Sequence, residues 1–277
     1  MKTIRTTCPY CGVGCGVLAS VDDAGRVSVR GDDQHPANLG RLCVKGAALG
    51  ETTGLAGRLL APEVDGQKVT WPQALAETAS RLQQVIDQHG PQAVAFYASG
   101  QLLTEDYYAA NKLMKGFIGA ANIDTNSRLC MSSAVTGYKR AFGADVVPCS
   151  YEDVENSDLV VLVGSNAAWA HPVLYQRLAQ AKRDNPRLQI VAIDPRRTAT
   201  CEIADRHLAL APGSDGGLFV GLLNALAQAG ACVDGFRDGA QALAEASGWD
   251  VAKVADFCGL AADEVAGFYR DFIAAPR

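Results

Sequence analysis

Four cysteines at the start of the chain restrict what it can fold into more than any other feature. Three of them crowd into Cys8-Pro9-Tyr10-Cys11-Gly12-Val13-Gly14-Cys15. The fourth, Cys43, stands in Arg41-Leu42-Cys43-Val44-Lys45-Gly46, so the spacing is C-x2-C-x3-C-x27-C. Four thiolates can close a tetrahedral zinc site or hold an iron–sulfur cluster. Zinc ligands usually come as two short Cys-Cys knuckles or as Cys and His pairs. Three ligands around one corner and a distant fourth suit a cuboidal [4Fe–4S] cluster better. Gly12, Gly14 and Gly16 allow tight turns that aim backbone N–H groups at sulfur. From spacing alone, a zinc ribbon and unliganded thiols remain the alternatives.

The first 58 or so residues are rich in Gly, Asp and short alternating segments. Val17–Val21 and Arg26–Arg30 flank the turn Asp22-Asp23-Ala24-Gly25, which predicts a β-hairpin. A β-rich module this small has little core of its own, so a metal staple is physically reasonable. The pattern then changes. Thr70-Trp71-Pro72-Gln73 marks a helix start, and His89-Gly90-Pro91 ends that helix. A short strand over Ala93–Ala98 leads into Ser99-Gly100-Gln101 and a helix over Thr104–Gly119. The grammar repeats. The apolar strand Asp158–Val163, of the kind buried on both faces of a parallel sheet, ends in Gly164-Ser165-Asn166 and is followed by a helix over Pro172–Ala181. The strand Leu188–Ile193 ends in Asp194-Pro195-Arg196-Arg197-Thr198. His207–Leu210 precedes Pro212-Gly213-Ser214-Asp215 and a helix from Gly216 to Gln228. The tail from Asp234 onward reads as helices. Alternating strands and helices predict an α/β fold, doubly wound and Rossmann-like, after the β-rich module. The expected domains are 1–58 and 59–277, the second incomplete at its C-terminus.

Ligands in such sheets lie at the carboxyl ends of strands. Four polar turns occupy those ends: Ser99–Gln101, Gly164–Asn166, Asp194–Thr198 and Gly213–Asp215. Helix N-termini can receive phosphate, and Arg196 and Arg197 can add charge-assisted bonds to it. Asp194 and Asp215 are acceptors for ribose hydroxyls or a purine N–H. Together they point to a nucleotide-like ligand. Neither G-x-G-x-x-G nor G-x4-G-K-[ST] occurs at these turns, so a plain NAD or ATP site is not indicated. Cys130, in Asn126-Ser127-Arg128-Leu129-Cys130-Met131-Ser132-Ser133-Ala134, reads by itself as a small buried hydrophobe, like Cys149, Cys201, Cys232 and Cys258. No histidine is assigned as a ligand.

The chain has 277 residues, a net charge of −5 and 48% hydrophobic residues. The mild acidity and the lack of a basic run argue against nucleic acid. No apolar run approaches the ~18 residues a membrane span needs. Met1-Lys2-Thr3-Ile4-Arg5 enters the cysteine motif with no apolar or twin-arginine leader, so a cytoplasmic location is expected.

These motifs together resemble the N-terminal part of the molybdopterin oxidoreductases of the dimethyl sulfoxide reductase family. Within that family the likeness is to assimilatory and periplasmic-type nitrate reductases. The resemblance implies that Cys8, Cys11, Cys15 and Cys43 hold a [4Fe–4S] cluster and that Lys45 lies between cluster and pterin. It implies that the Cys130 thiolate ligates molybdenum, which lifts that residue from core thiol to catalytic ligand. Gln101 and Asn126 match pterin-contacting positions. The segment 163–170, the run Asp194–Thr198 and Gly213–Asp215 match loops that hold a molybdopterin guanine dinucleotide, of which the family binds two around molybdenum. Cys130-Met131-Ser132-Ser133-Ala134-Val135 fits nitrate reductases; formate dehydrogenases usually carry His after their Cys or selenocysteine, which makes formate oxidation the runner-up. The implied activity is reduction of nitrate to nitrite in assimilation, with ferredoxin, flavodoxin or an NADH-linked subunit as donor. The relatives' later domains complete the second pterin site and have no counterpart here, so this chain is expected to be a piece of a larger enzyme. A non-catalytic, cluster-carrying electron-transfer module and a zinc-stabilised nucleotide binder are the rivals from other classes.

Overall fold

The computed structural model describes residues 2–232 and 238–276. The chain forms two compact units, Met1–Gly137 and Tyr138–Arg277.

The first unit opens with the antiparallel sheet β1 (Lys2–Thr7), β2 (Gly16–Val21) and β3 (Val27–Gly31), in that order. The hairpin expected at Asp22–Gly25 joins β2 to β3. Asp22 Oδ1 accepts from the backbone N–H groups of Ala24 and Arg26, which fixes the turn. Two close approaches then fold the following loop back onto the sheet. A Cβ on Gly16 would lie 2.3 Å from the His35 ring, and one on Gly31 would lie 2.0 Å from the Gly40 carbonyl oxygen. Only glycine fits at either place. Helix α1 (Val44–Ala47) follows, then the short pair β4 (Glu63–Val64) and β5 (Gln67–Lys68).

Helix α2 (Trp71–His89) starts where expected; the Thr70 N–H donates to Gln73 Oε1 at 2.9 Å. Strands β6 (Phe96–Ala98) and β7 (Ile123–Thr125) pair in parallel, with α3 (Thr104–Asn111) between them. The helix expected to run from Thr104 to Gly119 changes to a π-helix over Lys112–Ile118, and Gly119 at φ 82° ends it. Val94, Met114 and Ala120 form the core here, against Leu82 and Ile86 of α2. Helix α4 (Ser132–Phe142) carries the chain into the second unit.

After α5 (Tyr151–Glu155) come β8 (Leu159–Val163), α6 (Ala167–Ala170), α7 (Pro172–Asp184), β9 (Gln189–Ile193), β10 (Arg206–Leu208) and α8 (Asp215–Gln228). The three strands are parallel, in the order β10-β9-β8. Side chains of a strand alternate between faces, and here both faces are covered. Leu159, Val161, Val191 and Ile193 pack with Leu218 and Leu222 of α8, and with Val254 and Phe268. Val160, Leu162 and Ile190 pack with Leu178 of α7 and Val154 of α5. The sheet is thus wound on both sides, as predicted. The depth differs from expectation at β8, which is only half-buried, because it lies at the edge while β9 lies centrally.

The tail forms α9 (Gly239–Ala246), α10 (Val251–Cys258) and α11 (Ala262–Ala274). The expected start of that helical tail, at Asp234, lies outside the described residues. Arg177 on α7 is 2% exposed. Glu155 and Glu152 neutralise it, and the Tyr151 ring lies 5.1 Å away. An unpaired charge at that depth would be costly. No helix among the described residues is long and apolar enough to cross a membrane.

Phe268 is wholly buried under β9 and β10. Phe268→Ala is expected to cost about 3–5 kcal/mol, the range for emptying such a site. Exposed Leu129→Ala, at 87% exposure, is expected to stay within ~0.5 kcal/mol. Hydrogen exchange of the β9 amides checks the first, and that of the β7 amides the second.

Candidate functional site

In the first unit the chain brings the four N-terminal cysteines together. Cys8 follows β1 and Cys15 precedes β2, and the Cys8 N–H donates to the Cys15 carbonyl at 2.8 Å. The Gly14 N–H donates to the Cys11 carbonyl at 3.1 Å, closing the turn between them. Cys43 is the N-cap of α1, its sulfur accepting from the Gly46 N–H at 3.5 Å. Burial pushes the Cys8 thiol up, and the Cys43 and Cys11 sulfurs push it further, while the Tyr10 backbone N–H and the Lys45 ammonium pull it down. Cys15 is pushed up to about 11, first by burial and then by Cys8, Cys11 and Cys43. Cys8 and Cys15 thus each lie close to the other motif sulfurs.

The arrangement also tests what they can hold. Among the described residues, no three His, Cys, Asp or Glu side chains are gathered closely enough to hold a single metal ion. Four cysteine sulfurs, two of them on buried residues and all within one electrostatic neighbourhood, are a donor set whose chemistry fits a [4Fe–4S] cluster. A bound cluster would also hold them as thiolates, relieving the mutual repulsion through iron. The amide donors to sulfur come from Tyr10 and Gly46. The Gly16 N–H points elsewhere and donates to Asn38 Oδ1 at 2.8 Å.

Lys45 lies on α1. Its Nζ donates to Gln101 Oε1 at 3.3 Å and sits 5.8 Å from the centre of the Tyr10 ring. Gln101 follows β6, and the neighbouring Gly100 N–H donates to Asn126 Oδ1 at 2.6 Å. Asn126 follows β7. The turns after the two parallel strands are thereby tied together at their carboxyl edge, with Lys45 joined to the same group. Cys130 lies four residues beyond Asn126, on the one-turn 3-10 helix Leu129–Met131, and is exposed. That differs from the buried hydrophobe its composition suggests when taken alone. Cys149 is exposed and Cys232 half-exposed, whereas Cys201 and Cys258 are buried.

In the second unit three loops follow the parallel strands. Gly164 has φ 55°, and its N–H donates to the Ile193 carbonyl at 2.8 Å. Ser165 follows, and Asn166 stands at the N-cap position of the single turn α6 without a capping bond from its side chain. Asp194 Oδ1 accepts from the Arg196 N–H at 2.8 Å, so one carboxylate oxygen builds the Asp194-Pro195-Arg196 turn. Arg196 and Arg197 are exposed and form no ion pair among the described residues. Thr198 caps a short 3-10 helix, Ala199–Ile203. In the third loop, Gly213 and Asp215 are exposed. Ser214 is buried instead, and its hydroxyl donates to the Ala211 carbonyl at 2.7 Å.

Two residues not picked out from sequence hold these loops. Thr200, 1% exposed, donates to Asn166 Oδ1 and accepts from the Ala168 N–H, both at 3.1 Å. It fastens the first loop to the second. His207 Nε2 bonds to the Asp194 carbonyl at 2.9 Å. A short-range pattern could have flagged the Thr198-Ala199-Thr200 repeat as capping residues, but not a partner 34 residues away. Thr200→Val leaves Asn166 Oδ1 and the Ala168 N–H unpaired, at a cost of about 1–3 kcal/mol for each group left dry. Faster exchange of the Ala168 amide, with Thr200→Ser close to the parent, is the expected result.

Known families and relatives match the chain over most of its length. Residues 1–53 match the molybdopterin oxidoreductase Fe4S4 domain, and residues 58–232 match molybdopterin oxidoreductase. A nitrate reductase of Klebsiella oxytoca is 80% identical over 277 residues, all of this chain and 32% of the relative. A periplasmic nitrate reductase of Desulfovibrio desulfuricans is 44% identical over 220 residues, 77% of this chain and 29% of the relative. Among solved structures, the acetylene hydratase of Pelobacter acetylenicus aligns with a TM-score of 0.75 at 22% identity, over 96% of this chain and 38% of that one; the likeness is one of fold. The chain thus spans about a third of the length of the curated relatives it matches. With an Fe4S4 domain followed by cofactor-binding α/β structure, it belongs to the molybdopterin oxidoreductases, whose cofactors are a [4Fe–4S] cluster and molybdenum–molybdopterin.

Proposed function

We propose that this chain is the electron-entry and cofactor-holding part of a molybdenum-dependent nitrate reductase acting in nitrate assimilation. What carries the reading is 80% identity to a nitrate reductase along the whole chain, joined to an exposed Cys130 at the carboxyl edge of β6 and β7. Residues 1–58 form the cluster domain and 59–277 the molybdopterin region. In this reading Cys8, Cys11, Cys15 and Cys43 hold the cluster, and Cys130 ligates molybdenum. Lys45 and Gln101, bonded to each other, lie on the path between cluster and pterin. Asn126 holds the Gly100 turn for the pterin. The loops 164–166, 194–198 and 213–215 bind guanine dinucleotide, with Arg196 and Arg197 on phosphate and Asp194 or Asp215 on the ribose or guanine. Ser214 contributes by shaping its loop, since its hydroxyl is already bonded inside.

The bound molybdenum centre supplies the two-electron redox and oxygen-transfer chemistry. The chain's part is to hold and orient it. The Lys45 ammonium offsets negative charge on the electron path, and Tyr10 and Gln101 keep it in place. Ferredoxin, flavodoxin or an NADH-linked subunit is the donor, and the compartment is the cytoplasm. The likeness to a periplasmic enzyme makes cell fractionation the direct check on that point. Further domains complete the site. Leu55, Leu59, Leu60, Trp71 and Leu75 are 62–75% exposed, which gives such domains apolar surface to cover.

In the full-length enzyme, Cys130→Ala is expected to abolish nitrite formation while iron content stays at the parent level. Undiminished nitrite formation would remove Cys130 from the metal. Formate oxidation in place of nitrate reduction would favour the formate dehydrogenase reading. Iron without molybdenum in the parent enzyme would leave an electron-transfer module.

A further inference from the structure

We propose that Asn38 is a positioning residue for the iron–sulfur cluster: it sets where Cys43 stands relative to the other three cysteines. The inference rests on the cysteine assignment above and adds a residue outside the motif. Cys43 is 28 positions from Cys15, and something must bring it back with accuracy.

Asn38 is 0% exposed, and its amide is used on both sides. Oδ1 accepts from the Gly16 N–H at 2.8 Å. Nδ2 donates to the Gly16 carbonyl at 3.1 Å and to the Arg41 carbonyl at 2.8 Å. Gly16 is the residue after Cys15, and Arg41 is two before Cys43. One side chain therefore joins the backbone beside the third ligand to the backbone leading into the fourth. Only an amide fits this pattern: it carries one acceptor and two donors in a plane. A carboxylate lacks the donors.

A second observation shows that the join is under load. Leu39, directly after Asn38, has φ 45°, a conformation costly for a side chain with a Cβ, and Gly40 follows at φ 80°. The Leu39 N–H donates to the His35 carbonyl and the Arg41 N–H to the Asn38 carbonyl, both at 2.9 Å. His35 in turn occupies the space that a Cβ on Gly16 would need. The turn at 38–40 is thus clamped onto Gly16 from two directions. Groups of this kind, one step away from metal ligands, orient the ligands themselves, and losing one typically lowers metal affinity about 10- to 100-fold.

The test uses the whole chain with its cluster loaded without oxygen, in Asn38→Ala and Asn38→Asp. Asn38→Asp keeps an acceptor for the Gly16 N–H and loses both donations. If Asn38 places Cys43, both variants hold three sulfurs well and the fourth poorly. The reduced four-iron EPR signal is then lost, an oxidised three-iron signal appears, and iron affinity falls by about 10- to 100-fold. Cys43→Ser is expected to give the same three-iron signature. Four irons with the parental EPR signal and midpoint potential in both Asn38 variants would overturn the proposal. So would complete absence of any cluster in both, which would make Asn38 a general folding residue. Failure of the ligand reading is separable: Cys43→Ser would then itself keep the parental four-iron signal.

Discussion

The close contact between the start of β2 and the loop after β3 governs the N-terminal module of this chain. It needs Gly16 and Gly31 without side chains, because the His35 ring and the Gly40 carbonyl occupy the space beside them. Few apolar groups help. Between residues 2 and 53 the buried hydrophobic side chains are Cys8, Cys15, Val17 and Leu18, and the buried polar ones are Asp32 and Asn38. A module of that size cannot rely on a core. Hydrogen bonds and the cluster itself must hold it. Two of the core residues, Cys8 and Cys15, belong to the cysteine motif, and burial together with the neighbouring sulfurs pushes the Cys15 thiol up to about 11. Without metal such thiols stay protonated and compact. Bound iron would hold them as thiolates, so loading a cluster would also tighten the module.

The second unit solves a different problem by a different means. Strand β9 is buried almost throughout and lends alternate side chains to two cores, one toward α7 and one toward α8, α10 and α11. A parallel sheet packed on both sides leaves its carboxyl ends as the natural places for polar loops. The second of these loops is fastened to the first through the Thr200 hydroxyl and to β10 through the His207 imidazole. Cys258 belongs to the same scheme. Its carbonyl accepts from the Ala211 N–H at 2.7 Å and its thiol donates to the Ser214 carbonyl at 3.4 Å, so α10 braces the third loop from behind. The helices after residue 238 therefore take part in shaping the site although none of their residues lies in a loop.

Much of this was legible in the sequence because it is local. The β2–β3 hairpin follows from Asp22 to Gly25, the start of α2 from Thr70 and Gln73, and the strand–turn–helix rhythm from apolar runs ending in Gly, Asn or Asp. The positions that were not legible depend on partners far along the chain. Asn38-Leu39-Gly40 signals a turn; that its amide reaches Gly16, 22 residues back, is a tertiary fact. The edge position of β8 depends on strand order, which an apolar pattern does not encode. Cys130 shows the limit from the other side. Composition alone makes it a core thiol, the family resemblance makes it a ligand, and the exposure follows from its place on a one-turn helix at the end of β7.

Lys45 is the point at which the two styles of construction meet within the first unit. It is carried by α1, whose N-cap is Cys43, so its backbone is tied to that cysteine. Its ammonium partly offsets the rise that burial causes in the Cys8 thiol, sits 5.8 Å from the centre of the Tyr10 ring, and bonds to Gln101 on the β6 loop. A compact, rotatable ammonium can satisfy all three at once. The planar guanidinium of arginine would demand paired acceptors in its own plane and would lie differently over the ring. The side chain is exposed, so its charge acts through solvent and at short range only. Its influence is then set by geometry more than by charge alone, and that geometry is fixed by Tyr10 on one side and Gln101 on the other. The cation's position is thus shared between the cysteine motif, through Tyr10 and the Cys43 cap, and the turn after β6, through Gln101.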